Sequence, residues 1–256
     1  MRVRNVSLLV AAAGMLAAST ANADLIGQVT VKAFNADVVG QQIGNDFTAT
    51  VTGEWVNGRL IWNWSGEATF GNDTNSENNA KLTEIGLDLF ADPIVNSNFN
   101  VSAGAFNTTF VIDSVILAFP TIGAVEAYGR ASAQIGVTAS VGLGTPGVTL
   151  TGLQSGGSAY SAFFNAPPSP TGPSGSLFSN LITGGTTGGS FSYTGSTGLG
   201  YMPLGVAVND ISSQFRFSLS AFDRAAGSST FEVIPAPGTL ALLGLGGLVA
   251  GRRRRA

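Results

Sequence analysis

The stretch from Phe47 to Ala68 reads F-T-A-T-V-T-G-E-W-V-N-G-R-L-I-W-N-W-S-G-E-A, and it decides the fold class. Asn57-Gly58 is the strongest short turn signal, because both central positions of a tight hairpin turn need a positive φ. A two-residue loop there pairs Val56 with Arg59 and Trp55 with Leu60. The same register sets Gly53 against Trp62, Val51 against Trp64, Ala49 against Gly66 and Phe47 against Ala68. All those residues are apolar or glycine. The opposite face carries Glu54, Thr52, Thr50 and Thr48 against Ile61, Asn63, Ser65 and Glu67, and is mostly polar. Slipping the register by one residue would scramble both faces, so the pattern predicts one long hairpin with one buried face. All three Trp lie on that face. An isolated hairpin is marginal, so a second sheet is expected to cover it. The competing use of a Trp row is a platform for stacking sugar rings. Phe47, Val51 and Leu60 on the same face favour a core, because exposed contiguous apolar patches are rare.

Outward from the hairpin, period-2 alternation recurs and no convincing 3.6-residue period appears. Val125 to Val141 alternates over 17 positions, with Val125, Ala127, Ala131, Ile135 and Val137 on the inward face. That is long for one flat strand, and a bend is expected at Gly129 or Gly136. Ile211 to Ala221 alternates likewise, with Phe215, Phe217 and Leu219 inward. Further strands are predicted at 26–34, 80–90, 106–119, 147–153, 157–164 and 228–234. About ten strands separated by Gly, Asn and Pro turns predict an all-β protein, a jelly-roll-like β-sandwich over residues 24–234.

The chain has 256 residues, and only 11% of them are charged. Zero Cys excludes disulfides, thiolate nucleophiles and Cys-type metal sites. Zero His excludes Ser-His-Asp triads and imidazole ligands. Residues 24–234 hold 6 basic and 15 acidic side chains, a net of −9, so no nucleic-acid partner is expected. From Ala131 to Asn209 there is no charge over 79 positions. Pro167 to Pro170 and the Gly/Thr/Ser-rich run from Thr183 to Gly200 read as loop within it; an adhesive, polymer-contacting surface is the alternative.

Both ends read as address signals. Arg2 and Arg4 precede an apolar run from Val6 to Ala18, and Ala21-Asn22-Ala23 is an A-x-A site. This predicts a signal peptide over 1–23, removed by signal peptidase so that Asp24 leads the exported chain. At the other end Pro235-Ala236-Pro237-Gly238 stops the last strand. Thr239 to Gly251 is uncharged and Leu-rich, and Arg252, Arg253, Arg254 and Arg255 follow. Thirteen helical residues span about 20 Å, short of the roughly 30 Å hydrocarbon core, so a single short hydrophobic helix inserted transiently is expected. The Arg cluster would hold its cytoplasmic end.

This order of Pro motif, Leu/Gly-rich helix and terminal Arg cluster resembles the PEP-CTERM sorting domain of Gram-negative bacteria. The resemblance covers about the last 24 residues. The middle residue is Ala236, where the name-giving motif has Glu. The resemblance implies an exosortase-like membrane enzyme as partner, processing near the Pro motif, and an exopolysaccharide or biofilm setting. The expected product is a non-enzymatic structural or adhesive protein of the cell surface or extracellular matrix, with residues 235–256 as its tail. Two alternatives stand beside it: a carbohydrate-binding module on a β-sandwich, and a plain C-terminally anchored membrane protein.

Other motifs carry less. Gly142 to Gly147 fits G-x-G-x-x-G, but a strand-like run follows it and no acidic residue lies between Glu126 and Asp210 to hold a ribose. Gly184 to Gly189 lacks the Lys of a phosphate-binding loop. Asp73, Asn75 and Glu77 alternate as calcium ligands often do, so they are the weak calcium candidates; a solvated loop is the simpler account. Glu54 and Glu67 lie near 17 Å apart on the predicted hairpin, too far for a glycosidase pair. No cofactor is expected.

Overall fold

The computed structural model describes residues 24–140, 147–165, 176–177, 189–198 and 200–236. In chain order the strands are β1 (Asp24–Asn35), β2 (Phe47–Gly53), β3 (Arg59–Phe70), β4 (Ala80–Phe90) and β5 (Ile94–Ser102). Then come β6 (Thr108–Asp113), β7 (Leu117–Ile122), β8 (Ala127–Thr138), β9 (Leu150–Gly152) and β10 (Tyr160–Phe164). The last five are β11 (Ser176–Leu177), β12 (Ser190–Ser196), β13 (Met202–Pro203), β14 (Val208–Leu219) and β15 (Arg224–Pro235). They form two antiparallel sheets. The first runs β11-β10-β14-β6-β1-β2, with β7 and β9 also paired to β14; the second runs β12-β8-β15-β5-β4-β3, with β13 paired to β8. The protein is a β-sandwich, as the period-2 pattern predicts.

Inward residues of both sheets make one core. Phe99 of the second sheet meets Phe215 and Phe217 of the first at 4.8 and 5.8 Å between ring centroids. Phe110 bridges Phe217 at 5.9 Å and Phe70 at 6.4 Å. Such offset and edge-on pairs add stability beyond the buried area.

The central hairpin is corrected by the structure. Its turn forms: Asn57 and Gly58 have φ of 51° and 74°, and Val56 and Arg59 exchange backbone hydrogen bonds of 2.9 and 3.1 Å. Beyond that one pair the strands part. β2 pairs with β1 (Val31 with Phe47, Val29 with Ala49), and β3 pairs with β4 (Trp62 with Leu87, Trp64 with Ile85). The expected ladder from Trp55–Leu60 to Phe47–Ala68 is not made. The physical reason lies in the two apolar faces. In one flat ladder they would lie side by side on one surface; split between two sheets, they face each other and cover each other. The Phe47 ring lies 4.6 Å from that of Trp64, and Gly53 abuts the Leu60 side chain. The turn therefore carries the chain from one sheet to the other and closes one side of the sandwich.

Other expectations fare variously. β8 alternates buried with more exposed residues along its length as expected, and its ladder with β15 runs without a register shift through Gly129 and Gly136. Val125 is exposed, not inward, because it sits in the turn before β8. The predicted strand 106–119 breaks into β6 and β7 around Ser114, whose hydroxyl accepts from the Ser213 N–H at 2.8 Å. Within the expected loop 183–200, residues 190–196 form β12 and pair with β8. β5 was not expected at all: I-V-N-S-N-F-N-V-S carries three Asn, a residue depleted in strands. The G-x-G-x-x-G stretch at 142–147 lies outside the described residues except for Gly147.

Candidate functional site

Each residue singled out by sequence has a definite place or lies outside the described residues. Trp55, Trp62 and Trp64 are half-buried and pack against the core. They line the inside of the closed edge, so they do not form an outward stacking row.

The oxygen-rich loop between β3 and β4 is a self-capped turn. The Asp73 carboxylate accepts from the Asn75 N–H at 2.8 Å and from the Asn78 side-chain amide at 3.1 Å. These bonds hold its pKa below the usual carboxylate value, the backbone bond most of all. The Asn75 side chain accepts from the Glu77 N–H at 3.2 Å and starts a short 3-10 turn, Ser76–Asn78. Asn79 clamps the loop base, exchanging bonds of 3.0 and 2.9 Å with the Asp73 backbone. The oxygens of Asp73 and Asn75 thus serve the chain itself. Among the described residues no three acidic side chains converge on a common point.

Pro235 is the last residue of β15 and pairs with Ala127; Ala236 follows it. Pro237, Gly238 and Arg252 to Arg255 lie outside the described residues, as do Ala21 and Ala23, while Asp24 opens β1. Among the described residues no helix is long and apolar enough to cross a membrane.

On the outer face of the first sheet, the Gln154 amide donates to Gln214 and the Gln214 amide donates to Asp113, both at 2.5 Å. Burial pushes the Asp113 carboxyl above its usual range, against the opposing pull of the Gln214 bond. This chain ties β9–β10 to β6 through β14, a structural arrangement.

The feature that sequence did not expose is the outer face of the second sheet. Across β12, β8, β15 and β5 the register sets Ser196, Ser132, Thr230 and Asn96 in one row. The next rows are Thr194, Gln134, Ser228, Asn98 and then Ser192, Gly136, Ala226, Asn100. No charge occurs in these rows. Charges flank them: Arg59 grips Asp88 with two bonds of 2.7 Å, Arg130 meets Glu232 at 2.7 Å, Glu84 accepts from Asn98 at 3.1 Å, and Arg224 stands exposed beyond Ala226. Three shallow grooves cross the face: one of about 380 Å³ between Gln134, Thr194 and Ser228, and two of about 460 and 430 Å³ over Gly136 and Ala226, edged by Arg224 and Glu84 respectively. The signal in the sequence was the alternation V-N-S-N-F-N-V, in which Val95, Phe99 and Val101 are buried and three Asn point out.

No family model matches the chain, and no curated protein is similar to it. Among solved structures, that of infectious bursal disease virus Gx strain shares 11% identity over 91% of this chain and 74% of that one, with a TM-score of 0.23. The virus Gt strain structure gives 11% identity, 91% and 72% coverage and a TM-score of 0.19. At these scores the likeness carries no argument about fold or function.

Proposed function

We propose that this chain is an exported, non-enzymatic protein of the cell surface or extracellular matrix, sorted by an exosortase-type system. In that role it is structural or adhesive in an exopolysaccharide setting. The observation that supports this is the order of Pro235-Ala236-Pro237-Gly238, the Leu/Gly run and Arg252 to Arg255, beginning where β15 ends. Signal peptidase releases residue 24 onward, and the short tail helix holds the chain until the processing enzyme acts. The jelly-roll-like class of the sandwich belongs to the same proposal. Successive strands that change sheet, β5 to β6, β7 to β8 and β14 to β15, support it; β3-β4-β5 instead stay together as a meander. The test follows an epitope-tagged chain in a host with and without the exosortase-type enzyme. A tail lost only when the enzyme is present is the expected result, and a tail intact in both overturns the sorting.

A further inference from the structure

We propose that the outer face of the second sheet binds an uncharged polysaccharide. This rests on the reading of the protein as an exopolysaccharide-associated one, and names the surface and the ligand chemistry.

The argument starts from what the face offers. A sugar hydroxyl both donates and accepts, and so do the side-chain amides of Asn and Gln and the hydroxyls of Ser and Thr. The side chains of Asn96, Asn100, Gln134, Ser228 and Thr230 stand outward and make no hydrogen bond of their own among the described residues. They stand on central strands, so their spacing is set by the ladder: about 4.8 Å across strands and about 7 Å along them. A ligand therefore meets a fixed lattice of donors and acceptors, with no loop to order first. The small residues Gly136 and Ala226 lower the floor between the rows; a Cβ built on Gly136 would have no neighbour closer than 3.9 Å. At Gly86, on β4, the amide oxygens of Asn63 and Asn98 lean over the bare backbone from both sides and extend the polar lattice by one strand.

The charge pattern selects the ligand. Residues 24–234 carry a net of −9, yet three rows across four strands carry none. A solvated sheet face has no reason to avoid Lys and Glu, which are common on such surfaces. A polyanion would find a single guanidinium, Arg224, at one end of these grooves and would meet Glu84 and Asp88 along their side. An apolar partner would find no large apolar side chain in the rows. A neutral chain of sugars matches the face in charge and in hydrogen-bonding type.

The full chain, in mild detergent, is run by native electrophoresis through gels containing dextran, galactomannan or hydroxyethylcellulose, with alginate as the anionic probe. At least one neutral gel should retard it, and raised salt should not abolish the retardation. The variant Asn96→Ala/Asn100→Ala/Gln134→Ala should weaken apparent affinity about tenfold or more. Its urea midpoint should equal the parent's, since these side chains hold nothing in the fold. Ser228→Glu should weaken binding too, while Thr48→Ala/Thr50→Ala on the other sheet should not. No retardation by the three neutral gels, retardation by alginate alone, or equal retardation of the face variants overturns the proposal. So does a concentration-dependent dimer dissolved by Ser228→Glu, which assigns the face to a second copy. A chain processed normally at its tail but never retarded loses this proposal alone; one retarded with its tail intact loses only the sorting.

Discussion

Gly227 is a point of close approach between core strand and core ring, and replacing it tests the packing. It lies inward on β15, directly across the ladder from Phe99. A Cβ added there would sit 2.5 and 2.6 Å from two atoms of the Phe99 ring and 3.1 Å from the Gln134 carbonyl oxygen. The ring cannot swing away, because Phe215 and Phe217 hold it from the facing sheet at 4.8 and 5.8 Å. Gly227→Ala should therefore cost about 1–3 kcal/mol from overpacking. That is roughly 2–12 °C in Tm for a domain of this size. Phe99→Ala alone should cost about 3–5 kcal/mol, for the lost burial and the cavity left. In the Phe99→Ala background both ring contacts vanish and only the 3.1 Å approach to the Gln134 carbonyl oxygen remains, so Gly227→Ala should lose most of its cost. The two changes should thus couple by about 1–3 kcal/mol, well above the scatter for independent sites. Urea unfolding followed by Trp fluorescence measures all four variants, with midpoints compared at equal slope. An unchanged midpoint for Gly227→Ala, or the same cost in both backgrounds, refutes the reasoning.

Asp113→Asn should flatten the pH dependence of stability. A carboxyl raised by burial binds its proton more tightly folded than unfolded, so the parent loses stability as pH rises from the ordinary Asp value through the raised one. The Asn variant keeps the acceptor for Gln214 and should equal or exceed the parent in Tm at pH 7 while losing that slope, as thermal melts across pH will show. Gly58→Val should cost about 1 kcal/mol or more, because its φ of 74° suits only glycine-like backbones; an unaltered melting curve would mean the turn relaxes freely. Replacing Arg252 to Arg255 with Ser, or Leu243 with Arg, should release unprocessed precursor past the membrane, as fractionation and blotting would show. Retention and processing like the parent's would strip the Arg cluster of its sorting role.

The sequence pattern read most of the sandwich because its inward positions alternate cleanly. β8, β14 and β15 each keep their inward residues in step over nine or more positions, and their faces follow directly, whereas β4 changes phase between Leu82 and Glu84. The pattern failed where partner choice decides. Nothing local to 47–68 distinguishes a strand that pairs with its hairpin neighbour from one that crosses to the opposite sheet; the β1 partners that win lie 16 or more residues away and the β4 partners 10 or more. β5 was hidden because its outward residues are Asn, which propensity assigns to turns, although burial of Val95, Phe99 and Val101 overrides that preference. The polar face was invisible for the same reason. It is composed of four strands distant in sequence, brought side by side only by the ladder. The oxygen-rich loop shows how one spacing serves two uses: it resembles a ligand set, but Asx turns use the same residues to bond their own backbone, in line with the solvated loop that the sequence favours.

The chain order of the two sheets bears on how such a protein is made. β14 lies between β10 and β6, and β15 lies between β8 and β5. Without them the first sheet falls into β11-β10 and β6-β1-β2, and the second into β12-β8 and β5-β4-β3. A chain threaded N-terminus first through a narrow pore would hold only these fragments until residue 208 and beyond had emerged. Each is too small for independent stability or leaves its inner edge bare. A chain exported in that way would stay passable for most of its transit, and its folding would close late, as the two keystone strands arrive.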